Sequence, residues 1–187
     1  MSSSVNLHVD LGKEELVSRT KALIREVPDF PKPGINFYDI TTLLADGEVF
    51  SEIIDYFATR FEEKKIDKII GIESRGFIFA AAIAAKMKIG FVPVRKPGKL
   101  PYKVEKISYQ LEYGSDSLEI HQDAVKANER VVIVDDVLAT GGTASATAEL
   151  VSRLAAEIIE ISFLSELSFL NGKEKIKDYK SFSLVSY

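Results

Sequence analysis

The sequence predicts an α/β fold in which a central, mainly parallel sheet is flanked by helices. Three observations predict it. KIIGIE at 68–73 and VVIVDD at 131–136 contain uninterrupted apolar runs, the mark of strands buried on both faces. Segments with apolar residues at three-four spacing alternate with those runs. No repeat and no Pro/Gly/Ser-rich linker divides the chain, and its 187 residues suit one core, so residues 1–187 are expected to form a single domain.

The elements follow in order. MSSSVN has no periodic pattern and is expected to lie outside the ordered fold. Residues 10–27 are expected to be helical, with Asp10 as cap and Leu16, Thr20, Leu23, Ile24 and Val27 on one face. FPKPGINFYDITT at 30–42 interrupts helix with two prolines and a glycine. Asp46 starts a second amphipathic helix that turns Phe50, Ile53, Ile54, Phe57 and Phe61 inward. After the strand at 68–73, RGFIFAAAIAAKMK at 75–88 is apolar nearly all round, and its alanines permit close approach to a sheet. Strands are expected at 89–96 and 131–136. A helix from about 143 to 155 presents Ala144, Ala148, Val151 and Ala155, and strands at about 158–167 and 182–186 close the chain. KPGKLPYKVEKISYQLEY at 96–113 fits neither period. A segment of that length is often a lid, and part of it is expected to pair with 116–121 as a β-ribbon.

Composition excludes several chemistries. The chain has 24 Lys+Arg against 28 Asp+Glu, a net charge of −4, which argues against non-specific nucleic-acid binding. Cysteine is absent, which removes disulfides, thiolate metal sites and a cysteine nucleophile. His8 and His121, the only histidines, have no partner at metal or triad spacing. There is no secretory pattern and no apolar run near the ~18 residues of a membrane span, so a cytoplasmic protein without membrane contact is expected.

In this fold class ligands bind beyond the carboxyl ends of the strands. That rule selects residues 73–76, 95–99 and 135–143. The last is the most informative. Gly141 and Gly142 open access to a helix start with orphan N–H groups and a positive dipole end, and Thr140 and Thr143 add hydroxyls. This is an anion cradle without a G-x-x-x-x-G-K-[ST] or G-x-G-x-x-G pattern. Asp135 and Asp136 precede it. Carboxylates beside an anion site are unfavourable unless they meet hydroxyls or a cation. A ribose 5-phosphate satisfies both demands, with its phosphate on the loop and its vicinal hydroxyls toward the acids.

At these residues VVIVDDVLATGGT resembles the phosphoribosyl-diphosphate signature of the type I phosphoribosyltransferases. FPKPGINFYDIT, GIESRGFIFA, VPVRKPGKLP and YQLEYGSDSLEI extend the resemblance, in order, to the adenine phosphoribosyltransferases of that family. The resemblance implies a small N-terminal hood at about 1–45, a flexible lid at about 96–115, a homodimer, and Mg2+ carried on ligand oxygens. The implied reaction is adenine plus phosphoribosyl diphosphate to AMP plus diphosphate, a step of purine salvage. Residues Ala139, Thr140, Gly141, Gly142 and Thr143 are then expected to hold the 5-phosphate. Asp135 and Asp136 are expected to flank the ribose and stabilise an oxocarbenium-like ring. Ser74 and Arg75, at a turn that often carries a non-proline cis peptide in the family, are expected to meet the diphosphate together with Arg95, Lys96, Lys99 and Tyr113. The other reading of Arg75 is a surface pair with Glu73. Glu112 matches the proposed general acid, acting at adenine N7. Phe37 is expected to stack on adenine, the backbone of Ile35, Asn36 and Tyr38 to read its edge, and Leu167 to pack against it. Two positions depart from the commoner pattern: Tyr38, which is Arg in some relatives, and Tyr102, usually a small residue.

Two other functions fit less well. Enzymes for 6-oxopurines (hypoxanthine, guanine, xanthine) commonly place a lysine late in the chain near the purine O6, whereas ISFLSELSFL has none. A non-catalytic sensor of phosphoribosyl diphosphate usually adds a DNA-binding module, and only about thirty residues precede the hood motif here.

Overall fold

The computed structural model describes residues 3–110 and 115–187. Contacts divide the chain into two compact units, Met1–Tyr56 and Phe57–Tyr187.

The first unit opens with α1, Ser3–Leu23, in which Leu16 and Thr20 are buried. The helix begins earlier than expected, so Asp10 lies within it and is not its cap. It also ends earlier. Arg25–Pro28 form β1, which pairs antiparallel with β2, Asn36–Asp39, and Val27 faces Phe37 in the register. Val27 fits helical spacing, but a cross-strand partner outweighs periodicity for a β-branched residue, and one-dimensional spacing carries no sign of that partner. In the hairpin connection Gly34 adopts a left-handed φ of 85° and donates its N–H to Asp29 Oδ1 at 2.7 Å. The Phe30–Pro31 peptide is cis. A short helix α2, Thr41–Leu44, precedes α3, Gly47–Glu62. Asp46 starts α3 as expected, its Oδ1 accepting the Val49 N–H at 3.0 Å. Arg19 ties α1 to α3 through Glu52 at 2.8 Å and Glu48 at 3.0 Å.

The second unit holds a five-stranded, fully parallel sheet in the order β4-β3-β7-β8-β9. Its strands are β3, Lys68–Ile72; β4, Gly90–Val94; β7, Arg130–Leu138; β8, Glu157–Glu166; and β9, Ser181–Ser186. Two helices cover opposite faces: α4, Gly76–Met87, and α5, Gly142–Arg153. Strand alternation makes the division. Ile70, Ile72, Val131 and Ile133 share a core cluster with Ala144, Ala148 and Val151 of α5. Gly71, on the other face, lies under α4.

A Cβ added to Gly71 would fall 2.7 Å from Ala80 Cβ and 2.7 Å from the Phe91 ring. The alanine-rich helix thus approaches the sheet as its composition implied. Gly71→Ala is expected to destabilise by about 1–3 kcal/mol from overpacking, which a thermal melt reads as roughly 2–4 °C per kcal/mol in a chain of this size. A rise in Tm would mean that the helix does not pack that closely.

β7 runs two residues beyond the predicted end, because β8 continues beside it and pairs Val137 with Ser165 and Leu138 with Glu166. Ala155, predicted within the following helix, lies past its end at φ 58°. The ribbon is present: β5, Val104–Gln110, pairs antiparallel with β6, Ser115–His121. Backbone bonds between Arg95 and Glu119, at 2.9 and 2.7 Å, attach β6 to the end of β4. A buried charge was not foreseen. Glu160, fully buried on β8, accepts Arg60 at 2.7 Å and Lys64 at 2.6 Å.

Candidate active site

Strands β4, β3 and β7 are parallel neighbours, so the three segments selected from the sequence open along one sheet edge. The chain passes from β3 outward to β4, and from β7 the opposite way to β8 and β9. The gap between β3 and β7 is therefore the topological switch point, where this class binds ligands.

At the end of β3 the Glu73–Ser74 peptide is cis, and Ser74 is exposed. Arg75 follows at the start of α4. One of its terminal nitrogens lies 2.6 Å from Asp136 Oδ2, joining the ends of β3 and β7. Gly76 makes this approach possible, since a Cβ there would lie 2.6 Å from Asp135 Oδ1 and 3.1 Å from Asp135 Cα. Glu73 has a different role. Its carboxylate accepts Nε and Nη2 of Arg95, both at 3.2 Å, and the Lys96 N–H at 2.8 Å. Burial pushes the Glu73 pKa up, but Arg95 and the Lys96 amide outweigh burial and hold it below the ordinary value. Arg95 also reaches the Lys99 carbonyl at 3.3 Å, and Lys99 itself is exposed.

The ribbon meets the same edge. Lys96 Nζ contacts Asp116 Oδ2, and Tyr109 on β5 places its hydroxyl 3.2 Å from Thr143 Oγ1 and 3.4 Å from Asp116. Burial raises the Asp116 pKa, but the Lys96 contact and the Ser117 N–H outweigh it and keep the carboxylate low. Tyr109 and Asp116 were not identified from the sequence. Glu73 lay within the selected segment 73–76, but as a possible partner of Arg75 and not of Arg95. Asp116 and Tyr109 are brought here only by the ribbon register.

Beyond β7 the loop reaches α5 through Gly141, whose φ of 77° is left-handed and whose carbonyl accepts the Ser145 N–H at 2.9 Å. No side chain caps the helix. Its first-turn N–H groups have no intrahelical acceptor, and with the dipole they suit an anion. Gly141 is buried, while Ala139, Thr140, Gly142 and Thr143 keep partial exposure.

Asp136 is 5% exposed and Asp135 is half-buried. Burial first, and then the charge of Asp136, push the Asp135 pKa well above the ordinary range. Burial also raises Asp136, against the pull of Arg75. The sign of the consequence is definite. An acid whose pKa rises on folding holds more protons folded than unfolded, so stability falls as pH climbs from the ordinary carboxylate range through the raised value. Asp135→Asn keeps an acceptor for the Asp136 N–H, now bonded at 2.9 Å, and removes the charge. We expect Tm near pH 7 to rise by about 2–4 °C while activity falls, the trade of stability against function seen at functional sites. The gain should fade below about pH 4, where wild-type Asp135 is protonated in both states. Identical pH–Tm curves for the two proteins would refute this account.

The remaining candidates fall in separate places. Leu167 follows β8, and its N–H donates to the Leu138 carbonyl at 2.9 Å. Ile35, Asn36, Phe37 and Tyr38 belong to the first unit, on and just before β2. Asn36 Nδ2 donates to Glu26 at 2.8 Å, and the Phe37 ring meets the edge of Phe30 at a centroid distance of 5.2 Å. Glu112 and Tyr113 lie outside the described residues.

The family described as phosphoribosyl transferase domain matches residues 39–185. The adenine phosphoribosyltransferase of Geobacter metallireducens is 56% identical over 167 residues, covering 89% of this chain and 98% of its own. The solved adenine phosphoribosyltransferase of Thermoanaerobacter pseudethanolicus superimposes with a TM-score of 0.88 at 51% identity, covering 91% of this chain and 99% of its own. That of Saccharomyces cerevisiae, in complex with an imino-altritol bisphosphate and adenine, has a TM-score of 0.88 at 42% identity over the same shares. At such identity across most of both lengths, the chain belongs to the phosphoribosyltransferase family, among the adenine phosphoribosyltransferases.

Proposed function

We propose that this chain transfers the 5-phosphoribosyl group of phosphoribosyl diphosphate to N9 of adenine, releasing diphosphate and forming AMP in purine salvage. One observation carries the site assignment. The Arg75–Asp136 pair closes the switch point directly beside an uncapped helix start, so a cation for the leaving group, carboxylates for the ribose and donors for a phosphate share one strand edge.

Each group has a defined task in this proposal. The N–H groups of residues 139–143 and the hydroxyls of Thr140 and Thr143 hold the 5-phosphate. As the bond to diphosphate breaks, positive charge develops on the ribose ring, and Asp135 and Asp136 stabilise it by Coulomb attraction in a site of reduced dielectric. Their raised proton affinity in the free protein falls once a cationic ring or metal lies beside them. Arg75 offers a planar fork to diphosphate oxygens. The Ser74 backbone adjoins it, and Arg95, Lys96, Lys99 and Tyr113 complete the diphosphate side. In this structure Arg95 and Lys96 are engaged with Glu73 and Asp116, so their share in diphosphate binding requires new partners. Glu112 shares a proton with adenine N7. Phe37 stacks on the base, the backbone of Ile35, Asn36 and Tyr38 reads its edge, and Leu167 supplies apolar contact.

Mg2+ takes hard oxygen ligands and usually keeps several from water and substrate. The carboxylates of Asp135 and Asp136 are donors of that type, and the ion would neutralise charge on the diphosphate. The protein is proposed to act as a cytoplasmic homodimer, which sedimentation tests. Among the described residues no helix is long and apolar enough to cross a membrane. The decisive assay supplies phosphoribosyl diphosphate and Mg2+ with adenine, hypoxanthine or guanine in turn. AMP formation from adenine alone is expected, and turnover of hypoxanthine without adenine would overturn the base assignment.

A further inference from the structure

One glycine outside every motif read from the sequence lies directly against the loop at residues 139–141. Gly172 is buried at the start of a 3-10 turn, Gly172–Ile176, that follows β8. A Cβ added to Gly141 would strike the Gly172 carbonyl oxygen, with the carbonyl carbon 3.0 Å and Cα 3.2 Å away. A Cβ added to Gly172 would strike the Ala139 carbonyl oxygen, with the Gly141 nitrogen 3.0 Å away. Two backbones therefore touch with no side chain between them. The contact is closed from both sides, and the colliding atoms are backbone, which cannot swing away as a side-chain tip can.

The turn that presents Gly172 is itself fixed. Ile176 at its end is 1% exposed in the main core cluster. Lys173 Nζ lies 2.5 Å from Glu166 Oε2 at the end of β8. The Glu174 N–H donates to the Asn171 carbonyl at 3.1 Å, and the Leu167 N–H to Leu138 at 2.9 Å. The platform is thus built from β8 and the core, independently of the loop that rests on it.

We propose that Gly172 is a positioning residue that sets the peptide planes of residues 139–141, and so the aim of the cradle's N–H groups; this rests on the reading of residues 139–143 as the 5-phosphate site. The physical reason is the conformational freedom of that loop. A segment passing through a left-handed glycine has alternative peptide orientations close in energy, and in those a carbonyl would face the phosphate. A backbone surface in contact with Ala139 and Gly141 excludes them by sterics. The donors are then aimed before the ligand arrives and need no reorganisation on binding.

The test compares ribose 5-phosphate affinity, by calorimetry, with steady-state kinetics for wild type, Gly172→Ala, Gly141→Ala and Lys175→Ala. Gly172→Ala should weaken ribose 5-phosphate and raise KM for phosphoribosyl diphosphate by roughly 10- to 100-fold, the scale of a misplacement on the order of 1 Å. KM for adenine should stay within a factor of about two, a split that general destabilisation does not produce. Lys175→Ala, at an exposed position of the same turn, should keep wild-type affinity. Loss in Gly141→Ala with wild-type affinity in Gly172→Ala overturns the positioning role alone. Wild-type affinity in both overturns the cradle reading as well. If Gly172→Ala does not fold, hydrogen exchange on the wild type decides: ribose 5-phosphate should slow exchange at residues 141–143 and at 172–176 together, and protection at 141–143 alone overturns the proposal.

Discussion

Glu112→Gln is expected to lower kcat by roughly 10²–10⁴ while leaving the affinity for phosphoribosyl diphosphate near that of wild type. The argument begins with proton demand. As N9 bonds to the ribose carbon, electron density leaves the purine ring and the proton affinity at N7 changes sharply. The ring has to shed one proton as AMP forms, so a carboxylate near N7 can share and take up that proton in step with the change, whereas glutamine has nearly the same shape and no site to hold it. The substitution therefore removes chemistry and leaves packing in place, so the loss should fall on kcat and not on binding. β5 and β6 pair as far as Gln110 and Ser115, and Glu112 belongs to the connection between those positions. Unchanged kcat would remove Glu112 from the reaction. An equal loss in diphosphate-substrate binding would make its role structural.

Gly141→Ala should weaken phosphoribosyl diphosphate binding by at least about 10²-fold, because two costs fall on the loop proposed to hold the phosphate. Gly141 has a φ of 77°, and an L side chain in a sparsely populated region of that kind costs on the order of 1–3 kcal/mol. The new methyl would also meet the Gly172 carbonyl. The loop can relieve both only by rotating its peptides, which turns donors away from the ligand. Calorimetry with ribose 5-phosphate measures the loss without involving adenine, and wild-type affinity would refute the cradle. Gly141→Ala and Gly172→Ala disturb one shared contact, so the double variant should lose less than the sum of the two.

Much of the fold is legible in the chain. The runs at 69–72 and 131–134 are apolar because both faces are covered, and both belong to central parallel strands. The alanines at 80–85 announced a helix that could lie close to a sheet, and Gly71 completes that fit from the other side. Errors arose where pairing outweighed periodicity. Val27 has helical spacing but a strand partner, and β7 extends through Leu138 because β8 does. A partner distant in sequence leaves no trace in local spacing.

The candidate site divides in the same way. Gly141, Gly142 and the acids at 135 and 136 were selected directly from one short stretch, and the structure places them at the end of β7 and the start of α5. Arg75 was found by the strand-end rule, but its partner was not: Asp136 lies sixty-one positions away, and Glu73, the nearer acid, binds Arg95 instead.

What the sequence determined alone was the set of candidate groups and the local segments that present them: a glycine-rich strand-to-helix loop, the acids before it, a basic strand end and a doubly buried sheet. These follow from short-range chemistry and spacing. What only the tertiary structure decided was which groups meet. Strand order puts β3 beside β7 and makes the Arg75–Asp136 pair. Ribbon register brings Tyr109 and Asp116 toward Thr143 and Lys96. The turn after β8 sets Gly172 under Gly141. The reason is physical: pairing and close packing are contacts between segments distant in the chain, and their geometry depends on the whole core that brings those segments together.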